Sequence, residues 1–350
     1  MKNIFSRKEC FVSVIVLAML VGGVSFTSCQ KQLEENLYGV YDAETYFETV
    51  TLTDMAVLGV YEIFSDLLTY GQSAMVFDTD TDIAYVEGIN GVGHTARDIG
   101  HYNIYASHTW FESAWNLYYQ GINRANTIIE GVKAYTYSEE DQTKINALVG
   151  EAKFLRALCY FDLIRLFGDV PYKDTPSRSS DNFKLPQTDR DTIYNYIIQD
   201  ILDAIGVLPW TRDNSERITK GGAMGILARV YLFRGGYALR QNGQKRRPSN
   251  YRDYYDQVIY WTREIINSGY HDLNLSYEQV FRNYCEYRIE PKESMFEIPF
   301  FNTSGEGKHS GVWGTYNGPI IDQNSSYGRA NSFIKTHTVF YDLFEAGDLR

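Results

Sequence analysis

Residues 150–172 read GEAKFLRALCYFDLIRLFGDVPY. With the residues just before them, apolar positions Ile145, Leu148, Ala152, Leu155, Leu158, Cys159 and Leu163 recur at i, i+3, i+4 spacing. That period predicts an amphipathic helix with one buried face. Gly168 is able to take the left-handed conformation that closes a helix, and Pro171 prevents re-entry. The segment therefore reads as a core helix with a sharp exit, and any fold for this chain has to be built around it.

The same period returns elsewhere. At 51–68, Leu52, Met55, Ala56, Val60, Ile63, Phe64 and Leu67 mark one face, with Thr51 and Asp54 spaced as a capping box. A second stripe starts at Thr109, also with Glu112 as a cap partner, and runs through Phe111, Ala114, Trp115, Tyr118, Ile122, Ala125, Ile129 and Val132. Ser138 opens the core helix. Further helices are expected over 191–205, from Thr219 to the Gly235-Gly236 stop, and over 250–268 before Gly269. Helices joined by short polar turns suggest stacked antiparallel pairs. Two regions break the pattern. Residues 70–107 hold Gly71, Gly88, Gly91, Gly93 and Gly100 without any period and read as a long irregular excursion. Gly, Asn, Ser and aromatics dominate 302–329; before them Phe296 to Phe300 reads as a short strand, with Pro299 confined to an edge. A last helical fragment follows Thr336 and includes Val339, Leu343 and Phe344.

The first residues have the layout of a secretory leader. Lys2, Arg7 and Lys8 precede an apolar run from Phe11 to Val24, and small residues Thr27 and Ser28 precede Cys29. The run is short for a membrane span. Cys29 looks like a lipoprotein processing site, where it would be acylated and become the new N-terminus; Phe26 departs from the Leu usual there. A polar tether, QKQLEENL, follows. The formal charge is −11, and loss of the leader makes the remainder more acidic still, which argues against nucleic acid. Of four cysteines, only Cys159 and Cys285 lie outside the leader and the acylation site, so no disulfide framework is expected. Aromatics make up 15% of the chain, and Tyr and Trp, with a flat apolar face and a polar edge, suit contact with sugar rings.

The order of residues in 150–172 resembles the signature helix of the SusD/RagB family, outer-membrane lipoproteins that capture glycans for a transporter. YYQGINRAN at 118–126 resembles the family too, as does Arg217-Ile218-Thr219-Lys220 ahead of Ala228, Arg229, Tyr231 and Leu232. The resemblance implies a mostly α fold, a tetratricopeptide-like array of helical hairpins with long irregular loop insertions. It divides the chain into a leader at 1–28, a tether at 29–50 and a SusD-like domain at 51–350. Within that domain the array covers 51–69 and 109–268, and the loop-rich ligand region 70–108 and 270–335. It implies a lipid-anchored protein on the outer face of the outer membrane, with Glu34 and Glu35 resembling an export signal. It implies an oligosaccharide or polysaccharide ligand and a SusC-like, TonB-dependent partner, without catalysis or cofactor. In the family an Asp-x-Arg lies well inside the protein, so Asp348-Leu349-Arg350 reads as the end of a C-terminally short version.

Family members bind glycan on loops outside the array, through aromatic platforms and a few polar groups. On composition, the residues expected to do so here are Trp313, Tyr316 and Tyr327 in the Gly-rich region, Trp110 at a helix start, and Tyr85, Asn90, Arg97 and Tyr102 in the excursion, with Asp80 and Asp82 beside them. Asp78, Asp80 and Asp82 open like a calcium loop, but the sixth and twelfth places hold Ile83 and Ile89 where Gly and Glu are needed. His94, His101 and His108 share a seven-residue spacing without a helix to align them or a Cys to support them, so no metal is expected. No G-x-S-x-G, H-E-x-x-H or G-x-x-x-x-G-K motif is present. A surface glycoside hydrolase and a helical scaffold that binds only protein remain the alternatives.

Overall fold

The structure, a computed structural model, describes residues 46–348 apart from 78, 80, 89–94, 183, 213–215, 301–310, 323–325 and 327–329. Helix α1 (Val50–Ser65) begins at Thr49, whose hydroxyl accepts the Leu52 N–H at 3.2 Å. The expected Thr51–Asp54 box does not form, because the helix starts at Val50 and Thr51 already lies inside it; Asp54 instead accepts from the Arg217 guanidinium. A π-helical turn, Leu67–Gly71, leads into α2 (Ser73–Phe77), β1 (Ala84–Val86) and α3 (Ala96–Gly100). Helix α4 (Thr109–Gly131) is capped by His108, one residue before the expected Thr109: the imidazole Nδ1 accepts the Trp110 N–H at 3.3 Å. After the 3₁₀ turn Val132–Ala134 comes α5 (Glu139–Phe167), capped by Ser138 and closed by Gly168 at φ +79°. Helices α6 (Arg190–Val207) and α7 (Lys220–Gly235) follow, capped by Asp189 and Thr219. A small hairpin of β2 (Ala238–Leu239) and β3 (Lys245–Arg246) precedes α8 (Tyr251–Ser268), which stops on Gly269 at φ +71°. The remaining elements are α9 (Tyr277–Cys285), α10 (Trp313–Asn317), β4 (Ile334–Thr336) and α11 (Thr338–Tyr341).

Each long helix packs on the next: α4 on α5, α5 on α6, α6 on α7 and α7 on α8, while α1 lies against α4 and α5. The result is a stack of helical hairpins with α5 in the middle. The amphipathic reading of α5 is corrected by this position. From Gly150 to Ile164 every residue except Lys153 is buried, because α1, α4 and α6 enclose the helix on several sides. Phe154, Tyr160 and Phe161 from this helix, with Phe64, Ile122 and Ile193 from its neighbours, fill the core. Cys159 is fully buried, and burial pushes its thiol pKa up.

The non-helical regions differ more from expectation. The excursion after Tyr70 is not structureless: β1 pairs antiparallel with β4, with Tyr85 opposite Lys335. Strands this short carry no readable period, and their partners lie about 250 residues apart. The strand expected at Phe296 to Phe300 is absent. That segment has no regular secondary structure, and the Phe296 ring meets Phe154 edge-on at 5.7 Å. It crosses α7 so closely that a Cβ at Gly222 would lie 2.8 Å from the Met295 carbonyl. Among the described residues no helix is long and apolar enough to cross a membrane.

Candidate functional site

The residues that carry the sequence signature turn inward. Glu151 is fully buried and accepts three bonds, from the Tyr61 hydroxyl at 2.8 Å, Arg212 Nη2 at 2.7 Å and Arg217 Nε at 2.9 Å. One turn and a half further along α5, Arg156 grips Asp200 on α6 in a two-pronged pair at 2.8 and 2.7 Å and donates to Asn126 on α4 at 2.7 Å. The Asn126 amide in turn donates to the carbonyls of Lys173 and Thr175, tying down the loop after Pro171. Asp162 accepts from the Tyr70 hydroxyl at 2.9 Å and from Arg165 at 3.1 Å. Burial pushes the Asp162 carboxyl above the usual carboxylate range, against the pull of Arg165. Burial also raises the hydroxyls of Tyr61, Tyr70 and Tyr118 well above the usual tyrosine value. These polar groups bolt the hairpins together, since each buried charge needs a partner. Their side chains are used up by the fold.

The two regions that carry the loop-borne candidates meet at one small sheet. The pairing of β1 with β4 joins the early excursion to the late Gly-rich region. Beneath the sheet, Val76, Ala96 and Ile99 form a small apolar cluster with Phe77, Trp110, Phe111, Tyr316 and Phe333 packed on it. Trp110 and Tyr316 are therefore partly buried, which leaves less of each ring for a ligand than their sequence positions suggest. Arg97 donates through Nε to the Glu87 carbonyl at 3.0 Å and lies 5.1 Å from the centre of the Phe333 ring. The lack of a side chain at Gly88, φ +104°, makes room for that guanidinium. Tyr85 leans on His337 at 4.9 Å, with 37% of its surface open. Tyr102 is 73% exposed, and Asp82 is exposed. Tyr105, which the sequence reading missed, is also exposed, in the same stretch as Tyr102. Asp78, Asp80, Asn90, His94 and Tyr327 lie outside the described residues.

Trp313 has the most defined setting. Its indole N–H donates to the Tyr70 carbonyl at 2.8 Å, while 41% of its surface stays open. It stands on the wall of a recess of about 300 Å³ with Tyr70, Arg165, Arg229, Phe296 and Phe300. Ring faces and two guanidiniums thus meet where α5, α7 and the segment 296–300 converge. Among the described residues no acidic side chain lines the recess. No sequence signal marked Phe296 and Phe300 for this wall, because the chain brings them in from a non-periodic region.

Two of the three evenly spaced histidines are described and serve the fold. His101 Nε2 lies 3.2 Å from the Val86 carbonyl, and His108 caps α4. Among the described residues no group of His, Cys, Asp or Glu is arranged to hold a metal ion.

Comparison with known proteins follows the fold. A SusD-like family profile, described as starch-binding and associating with the outer membrane, matches residues 40–232. A SusD-like protein of Formosa agariphila is 29% identical over 232 residues, covering 66% of this chain and 44% of that protein. One from Bacteroides ovatus is 28% identical over 244 residues, covering 65% of this chain and 42% of that protein. The chain thus spans less than half the length of both. Among solved structures, a SusD homologue from Bacteroides thetaiotaomicron superposes with a TM-score of 0.73 at 27% identity, over 84% of this chain and 55% of that one. A laminarin-binding SusD-like protein shares the fold, with a TM-score of 0.66 at 22% identity, over 85% of this chain and 64% of that one.

Proposed function

The chain belongs to the SusD-like family, and from that premise we propose that it captures oligosaccharide at the cell surface and passes it to a SusC-like, TonB-dependent outer-membrane transporter without cleaving it. Acyl chains on Cys29 would hold it on the outer leaflet, two or more being needed for stable anchoring. The observation that carries the glycan reading is the recess at Trp313. An indole pinned by its N–H and partly open to solvent suits the C–H face of a sugar, and the neighbouring guanidiniums suit its hydroxyls. Tyr85, Tyr102 and Tyr105 in the early excursion supply further exposed rings. Cleavage of a glycosidic bond takes two carboxylates across the scissile linkage. The described lining of the recess consists of rings, aliphatic side chains and guanidiniums, a composition that suits binding. Shallow contacts of this kind correspond to micromolar to millimolar affinity, about 4 to 8 kcal/mol.

Affinity electrophoresis of the full chain through gels containing starch, laminarin and other polysaccharides tests the reading. Retardation by at least one of them, reduced by Trp313→Ala, is the expected result. Free migration through all of them, with the fold intact by circular dichroism, would refute glycan capture. Stable co-purification of a barrel protein with the lipidated chain tests the transporter partnership.

A further inference from the structure

A second cavity, of about 620 Å³, opens between the exit of α5, the start of α6 and the end of α7. Phe111, Phe167, Phe233 and Tyr237 supply ring surface to its wall, and Arg165 and Arg190 supply charge. Arg165 is paired with Asp162. Arg190 is not paired with any carboxylate among the described residues, although only 9% of its surface is exposed. Its guanidinium reaches the Ile164 carbonyl through Nη2 and the Leu239 carbonyl through Nη1 at 3.5 Å. Its Nε is buried without a partner. Main-chain carbonyls carry only partial negative charge, so they leave most of the positive charge uncompensated.

The nearby acids do not close this gap. Asp169 accepts the main-chain N–H of Arg190 at 3.0 Å, and Asp191 is held by Arg240 at 2.9 Å. Among the described residues no acidic side chain lines the cavity. The hairpin at its edge adds further cations. Leu239, on the cavity wall, sits opposite Lys245, and Ala238, also on the wall, sits opposite Arg246. Both basic side chains are exposed and have no ion-pair partner among the described residues. Arg247 lies 5.0 Å from the centre of the Tyr237 ring. A chain with formal charge −11 thus gathers unpaired positive charge at one aromatic cavity.

We propose that this cavity binds a sugar ring bearing a carboxylate or sulfate, with the anionic group on Arg190 and the hairpin's Lys245 and Arg246 at its rim. The proposal rests on the glycan-capture reading and adds an acidic class of ligand at a site away from Trp313. Aromatic walls take the ring faces, and a charge-assisted bond from a buried guanidinium selects the anion.

Isothermal titration of the full chain tests this with three probes: an oligogalacturonate, a sulfated galactan oligosaccharide and a neutral laminari-oligosaccharide. At least one acidic probe is expected to bind, about tenfold more weakly in ~0.5 M than in ~0.05 M salt. The exposed pair Lys245→Glu and Arg246→Glu is expected to weaken it about fivefold or more, because rim charges set attraction. Arg190→Gln is expected to remove most of the remainder, with a thermal melt reporting on its fold. Laminari-oligosaccharide binding should not respond to the hairpin pair. Carboxylate and sulfate are told apart by which acidic probe binds. The proposal is overturned if neither acidic probe binds, or if binding ignores both salt and the hairpin pair. Neutral binding without acidic binding would defeat this inference alone; loss of all saccharide binding would defeat the glycan reading with it.

Discussion

Replacing Glu151 by Ala tests whether the inward-facing signature residues hold the stack together. The carboxylate is fully buried and takes three donors, from Tyr61, Arg212 and Arg217. After truncation Arg217 keeps Asp54, but among the described residues Arg212 keeps only the Ile218 carbonyl. Removing one partner from a buried ion pair costs about 3–5 kcal/mol, chiefly by stranding the opposite charge. The Arg212 and Arg217 side chains are 19% and 16% exposed, so water recovers part of this. A loss of about 3–4 kcal/mol is expected. Glu151→Gln keeps the shape and one acceptor oxygen and should cost about 2 kcal/mol. Urea unfolding followed by far-ultraviolet circular dichroism reads the shift in midpoint at constant slope. A triple change of Glu151, Arg212 and Arg217 to Met should be less harmful than Glu151→Ala alone, since it leaves no stranded charge in the interior. A loss below about 1 kcal/mol for Glu151→Ala, the size of an ordinary substitution, would show that the network is incidental to stability.

Other expectations follow from single sites. Tyr61, Tyr70 and Tyr118 keep their protons in the fold well beyond pH 10, whereas an unfolded tyrosine loses its proton near pH 10. Stability should therefore be unaffected by these groups below pH 10 and fall above it, by about 1.4 kcal/mol per pH unit for each tyrosine; a denaturation midpoint flat to pH 11 would contradict this. Gly168→Ala, at φ +79° and ψ −121°, should cost about 1–3 kcal/mol, measured by the same urea titration, because a side chain strains that backbone. Gly269→Ala, at φ +71° and ψ 4° with open space around it, should cost only about 1 kcal/mol. Trp313→Ala should weaken retention on a binding polysaccharide about tenfold, and Trp313→Phe less, since a ring face remains; equal retention by all three would take Trp313 out of the site.

The helical part of the fold was legible because its signals are local. Ser138, Thr219, Gly168 and Gly269 cap or close helices where a short window of residues places them. The caps fell one or two residues before their expected places, on Thr49 and His108, because neighbouring polar side chains compete for the same helix start. The candidate site was legible only as a composition of exposed-type residues in two regions. Nothing in either region announced that Ala84–Val86 would pair with Ile334–Thr336, or that Trp110 and Tyr316 would sink onto one apolar cluster. Nothing in the sequence singled out Arg190, and its isolation appears only when the end of α5 and the hairpin close over it.

What the sequence determined alone is the helical period, the stops and the signature that places the chain in its family, because each of these is written within a turn or two of the backbone. The tertiary structure decided which polar residues are spent inside the stack and which rings remain outside. It also decided where positive charge is left uncompensated. Those outcomes depend on which segments far apart in the chain come into contact, and burial and charge pairing take their energy from that contact.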